Sequence, residues 1–182
     1  MRKEKVLQLM KFFTEKLGGK VSDVKMMKLL YFTDRLSLVE TGLPISYDEY
    51  FSLNRGPILS GAKNLIDTAD DELYSQFFSK TEPAHSPNGY AVKIFGLKSD
   101  APDLQYLSEQ ELDFASKVFE ELGEYNDDEI VLYSHRKDIC PEWVYPDSSC
   151  LPISLETIFS TIGMTAEESK EQIQEINYYK SI

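Results

Sequence analysis

Residues 26 to 59 read MMKLLYFTDRLSLVETGLPISYDEYFSLNRGPIL, and no other run narrows the possible folds as far. Met27, Leu30, Tyr31, Asp34 and Leu38 fall at i, i+3, i+4, i+7 and i+11, one stripe of a helix. Leu29, Phe32 and Leu36 supply a second apolar arc. A helix apolar on most of its sides is packed by several neighbours, so this one belongs at the centre of the fold. The stripe places Asp34 in the core or at its edge, where a carboxylate needs a partner. Arg55 is one candidate, and the free N–H groups of a helix opening at Gly56-Pro57 are another. The bland alternatives are a local pair with Lys28 or Arg35, or a side chain turned to water.

The remaining elements follow from spacing and caps. Val6, Leu7, Met10, Phe13 and Leu17 predict a helix over Glu4–Leu17, stopped by Gly18-Gly19. Ser22 caps the central helix, which ends near Glu40 before Gly42. Leu43 to Leu53 reads as irregular or extended, since Pro44 blocks continuation. Gly56-Pro57 predicts the start of a third helix fading near Asp67, with Pro at the first helical position. Leu73–Phe78 and Tyr90–Phe95 read as the two arms of a β-hairpin, and Asp100–Tyr106 as a further short strand. Capping boxes at Ser108/Glu111 and Thr165/Glu168, with Asn126 followed by Glu129, open later helices, and Ser154 opens a short one. The fold class is α+β, mainly α: a helical domain with a small antiparallel hairpin or sheet inserted after the third helix. One domain is expected over 1–182, with a core from about 22 to 164, an N-terminal helix in 1–21 and a C-terminal helix in 165–182.

The charge balance is 19 Lys plus Arg against 31 Asp plus Glu, a net charge of -12. Such a surface repels phosphate backbones and favours basic partners. Neither helix flanking Gly18-Gly19 or Gly42 makes a plausible recognition helix, so direct nucleic-acid binding is not expected. No apolar run approaches the roughly 20 residues of a membrane span, and no signal peptide is evident. A cytoplasmic protein with reduced Cys140 and Cys150 is the expectation. There is no phosphate loop, HExxH or GxSxG. His85, His135, Cys140 and Cys150 lack the paired spacing of a zinc site, so neither metal nor cofactor is expected. Cys140 with His135 could serve as thiol and base of a hydrolase, but Cys140 precedes Pro141 in a loop without an oxyanion approach. The acidic runs at 70–72 and 127–129 read as solvated helix starts or turns.

Lys28-Leu29-Leu30-Tyr31-Phe32-Thr33-Asp34 resembles the KLLYFAD helix of the SocA-like Panacea antitoxin family, a family with phage-associated members. Pro44-Ile45, Tyr50 and Arg55-Gly56-Pro57 resemble its second segment, with Ile58 where Val is usual. The 107–123 helix resembles a further block, and Ser134-His135 with Trp143 a final one. The resemblance implies a binding protein: an antitoxin of a bacterial or phage (prophage) toxin–antitoxin pair, neutralising a protein toxin from an adjacent gene by direct contact. It also implies an alternative, a proteolytic adaptor delivering the toxin to a ClpXP-type AAA+ protease. It supplies no catalytic residue. Lys28, Leu29, Leu30, Tyr31, Asp34, Arg55, Gly56, Pro57, His135 and Trp143 are then expected to be structural. Tyr31, Arg35, Asn54 and Arg55 are the members expected to touch a partner.

Overall fold

The structure, a computed structural model, describes residues 1–103 and 105–182. Among these residues there are eight helices and six short strands. The helices are α1 (Lys3–Lys16), α2 (Asp23–Thr41), α3 (Ser60–Thr68), α4 (Glu72–Phe77), α5 (Glu109–Leu122), α6 (Asp127–Ser134), α7 (Leu155–Thr161) and α8 (Ala166–Ser181). The strands are β1 (Lys20–Ser22), β2 (Tyr50–Leu53), β3 (Gly56–Leu59), β4 (Glu82–His85), β5 (Ala91–Gly96) and β6 (Leu151–Ile153). The architecture is α+β and mainly α, as the sequence implies.

Helix α2 is the axis. Ser22 Oγ accepts from the Lys25 N–H at its start, and Gly42, with φ of 76°, ends it. An apolar side chain cannot be left facing water on three sides, so α1, α3, α5, α6, β3 and β5 all pack around it. One buried cluster runs from Val6 to Ile176 and draws residues from all eight helices. The capping boxes at Ser108/Glu111, Asn126/Glu129 and Thr165/Glu168 are all formed.

Three expectations change. Gly56-Pro57 opens a strand, not a helix: β2 and β3 form a hairpin with Leu53 opposite Gly56 and Ser52 opposite Pro57. Gly56 has φ of 95° and takes the left-handed position that returns the chain. Pro57 is tolerated because β3 is the edge of the sheet β3-β2-β6, where a missing N–H costs no ladder bond. Helix α3 starts four residues after Gly56, with the Asp48 carboxylate accepting from Gly61 N–H at 2.8 Å and Ala62 N–H at 2.9 Å.

Leu73–Phe78 is mostly helical, not a hairpin arm. Asp71 caps α4 by accepting from Leu73 and Tyr74 N–H groups, and Tyr74, Phe77 and Phe78 bury at helical spacing. The hairpin after the third helix is β4–β5 instead. Strand β5 also pairs with β1, giving a second sheet in the order β1-β5-β4. The strand expected over Asp100–Tyr106 is not formed by the described residues there, and Leu104 lies outside them.

Candidate functional site

Asp34 is fully buried, as its stripe position requires. After Gly42 the chain turns back over α2 and presents donors to it. Asp34 Oδ1 accepts from the Ile45 and Ser46 N–H groups, each at 2.7 Å. Oδ2 accepts from Ser46 Oγ and Tyr50 Oη, each at 2.5 Å. Arg55, Lys28 and Arg35 are all engaged elsewhere, so none of the charged partners considered from sequence is used. Burial pushes the Asp34 carboxyl up from its ordinary range, against the pull of these four hydrogen bonds. The aspartate fastens the 43–50 segment to the central helix.

At the next position of the helix, Arg35 pairs with Glu142, whose side chain is sealed from solvent. Tyr31 Oη donates to the same carboxylate at 2.7 Å, and the Cys140 thiol lies 3.7 Å from Tyr31 Oη. Burial pushes Glu142 up, but the guanidinium and the phenol reverse it, and the carboxyl ends below its ordinary value. Burial pushes the Cys140 thiol up to about 12. A thiol held so far from ionisation, hydrogen-bonded to a phenol and not to His135, is a poor nucleophile. Tyr31 is buried and Arg35 points inward to Glu142, so neither offers the surface contact expected of it. Among the described residues no three His, Cys, Asp or Glu side chains gather in a way that could hold a metal ion.

The remaining motif residues meet at the tip of the β2–β3 hairpin. Lys28 runs beneath it, fully buried, with Nζ donating to the Pro57 carbonyl at 2.7 Å. A Cβ on Gly56 would stand 2.3 Å from Ser134 Oγ and 3.0 Å from Lys28 Nζ, so the close approach of these elements also requires glycine. Trp143 Nε1 donates to the Leu53 carbonyl at 3.0 Å, and its ring stacks on His135 with centroids 3.9 Å apart and planes 6° off parallel. Asn54 is exposed at the turn, and half-buried Arg55 gives Nη1 to the Ala91 carbonyl at 3.0 Å. Blocks that lie far apart in sequence thus hold one hairpin in place. The family model described as antitoxin SocA-like, Panacea domain, matches residues 26–143, the span from Met26 in α2 to the stacked tryptophan.

The chain belongs to the SocA-like Panacea family. Neither the curated proteins nor the solved structures supply a match. No helix among the described residues is long and apolar enough to cross a membrane.

Arg55 separates two cavities. One, of about 350 Å³, is walled by Lys28, Arg55, Lys63 and Asp67. The other, of about 380 Å³, is walled by Arg55, Tyr90, Asp128, Leu132, His135 and Tyr145. Asp128, read from sequence as solvated, is buried and accepts from Ser86 Oγ and Asn88 N–H, both at 2.8 Å. Burial and the Lys28 charge hold His135 below its ordinary value, as a neutral ring. Sequence reasoning missed Glu142, Ser46, Asp48, Tyr90 and Tyr145. None carried a local signal: even Asp48 serves helix α3 from 13 and 14 positions away.

Proposed function

We propose that this chain is an antitoxin that neutralises a cognate protein toxin by direct binding, with the β2–β3 hairpin tip as part of its contact face. The observation that carries the reading is how the motif residues are used. The motif's Tyr31, Asp34 and Arg35, with Cys140 and Glu142, are buried or committed inside, and what reaches the surface is a braced turn, Asn54-Arg55, beside exposed Tyr90 and Tyr145. Aromatic and arginine side chains on a rigid element suit protein recognition. The net charge of -12 favours a basic partner and disfavours nucleic acid. No catalytic role is proposed for Cys140 or His135.

The test is co-expression with the product of the neighbouring reading frame. The expected result is restored growth and co-purification of the two proteins, with Cys140→Ala protecting as well as wild type at matched protein levels. Rescue that persists in a host lacking the AAA+ protease supports neutralisation by binding. Rescue lost in that host favours delivery of the toxin for degradation. Failure of the wild-type chain to bind or neutralise that product overturns the reading.

A further inference from the structure

Two of the residues that wall the cavity on the His135 side of Arg55 carry buried nitrogens without partners among the described residues, Arg55 Nη2 and His135 Nε2. Buried donors are almost always satisfied, and leaving one unpaired is costly, more so when it is charged. Arg55 forms no ion pair among the described residues, although the chain carries 31 acids. The one acid in the cavity wall, Asp128, is occupied by Ser86 and Asn88. The rim is unusual too. Tyr90, Leu132 and Tyr145 are 60%, 66% and 60% exposed, three large apolar side chains left in water around one opening. The Tyr90 ring lies over the Arg55 guanidinium, 5.6 Å from centroid to Cζ, and its exposure leaves it free to turn aside.

We propose that this cavity is the anchor pocket of the antitoxin's contact face, and that it takes a carboxylate side chain, Asp or Glu, of the partner protein. The inference rests on the antitoxin reading and adds the chemistry of its contact. The incoming carboxylate displaces the Tyr90 ring from Arg55, accepts from Nη2, and accepts from His135 in the tautomer protonated at Nε2. Its apolar stem lies against Leu132 and the two tyrosines. A volume of about 380 Å³ suits one side chain with its neighbours, not a folded element. A monoanion fits better than a phosphate dianion, because Asp128 shares the wall and no glycine-rich loop supplies further N–H donors. In a chain of net charge -12, a local pocket that accepts an acid selects against other basic proteins, which long-range attraction alone would admit.

Two histidines make the test direct, because His85 lies on β4 outside this cavity and serves as the internal control. The full chain, labelled on histidine, is titrated with sodium propionate, with inorganic phosphate, and with sodium chloride at matched ionic strength. Propionate should shift the His135 ring signals saturably and leave those of His85 unmoved. Arg55→Gln should raise the half-saturating propionate concentration at least tenfold. Phosphate acting at lower concentration than propionate would reassign the pocket to phosphate-bearing ligands and overturn the carboxylate assignment. No saturable shift with either probe would overturn the site itself, whatever happens in cells. In the co-expression assay, Arg55→Gln should lose protection while wild type keeps it. Equal protection by both overturns the anchor and leaves the antitoxin reading standing, whereas loss of protection by wild type removes that reading.

Discussion

Asp34 and Lys28 lie six residues apart on α2, both fully buried, and neither has a counter-ion among the described residues. Asp34 is met by four donors that use both of its oxygens. Lys28 has one carbonyl for an ammonium with three protons. Burial pushes Lys28 down to about 7, against an opposing pull from Cys140, and the Arg55 charge adds a smaller push in the same direction as burial. The contrast separates two uses of buried charge. A fully satisfied carboxylate fixes one chain path, which is structural work. An under-satisfied cation beneath a cavity is a cost that fold stability does not explain, and such costs concentrate where a protein binds something.

The strongest way to break this comparison is Asp34→Ala. It strands two N–H groups and two hydroxyls in the core, and the expected loss is about 3–5 kcal/mol. Urea melts at pH 7 measure it. A loss below about 1 kcal/mol would mean that the 43–50 segment is held by packing alone. Lys28→Met should act in the opposite direction, stabilising by roughly 1–4 kcal/mol, because a methionine fills the same space without a charge to desolvate. The sign can be checked with pH. The folded lysine releases its proton near 7 and the unfolded one near 10.5, so the burial cost is complete below about 7 and fades as pH rises to 10.5. Wild-type stability should therefore climb between about 7 and 9, by up to about 1.4 kcal/mol per pH unit, while Lys28→Met stays flat there; above 9 the unfolded Cys140 thiol ionises while the folded one, pushed up to about 12, does not, and this opposes the rise. A flat wild-type profile would show that Lys28 is better solvated than its surroundings imply.

Glu142 tests the middle ground, a buried acid that does have a cation. Its carboxyl lies below the ordinary 4.5, so the stability it brings is complete above 4.5 and lost as pH falls below that value. Glu142→Gln should cost about 1.5–3 kcal/mol at pH 7, in the range of hydrogen bonds to charged groups. The gap between variant and wild type should close as the pH drops below 4.5. A gap independent of pH would assign the loss to shape and not to charge.

What the sequence disclosed follows the range of each interaction. Caps are local, so Ser22, Ser108, Asn126, Ser154 and Thr165 were all legible. The burial of Asp34 was legible because a stripe is a local pattern too. Its partners were not, since two are backbone N–H groups and two are uncharged hydroxyls, which carry no charge signature. Arg35 and Glu142 lie 107 positions apart, beyond any spacing rule. Gly-Pro is a real signal with two meanings, helix start or edge-strand return, and only the partner strand decides between them. Leu73–Phe78 failed because a short aromatic run fits either period. Lys28 was named with the motif, but its burial was hidden by the ordinary habit of lysine, which is almost never buried without a partner.

The smallest expected effect is the one that ties the two halves of the comparison together. From sequence, Arg55 was a candidate partner for Asp34, and removing both would then cost less than the sum of the separate losses. In the fold, Asp34 is satisfied without it, and Arg55 contributes one hydrogen bond to the Ala91 carbonyl while Nη2 stays unpaired. Arg55→Gln removes the cost of the unpaired Nη2 and loses the hydrogen bond to Ala91, two effects of opposite sign, so it should change stability by no more than about 1 kcal/mol. Combined with Asp34→Ala it should be additive within about 0.5 kcal/mol, as for sites with no shared partner. The same variant removes a cation that bears on Lys28, so the pH window over which stability rises should begin slightly higher than in wild type. Urea melts of Arg55→Gln, Asp34→Ala and the double variant, repeated between pH 6 and 10, read all three quantities. A coupling above about 1 kcal/mol between positions 34 and 55 would join what the structure separates, and would return Arg55 from the contact face to the core.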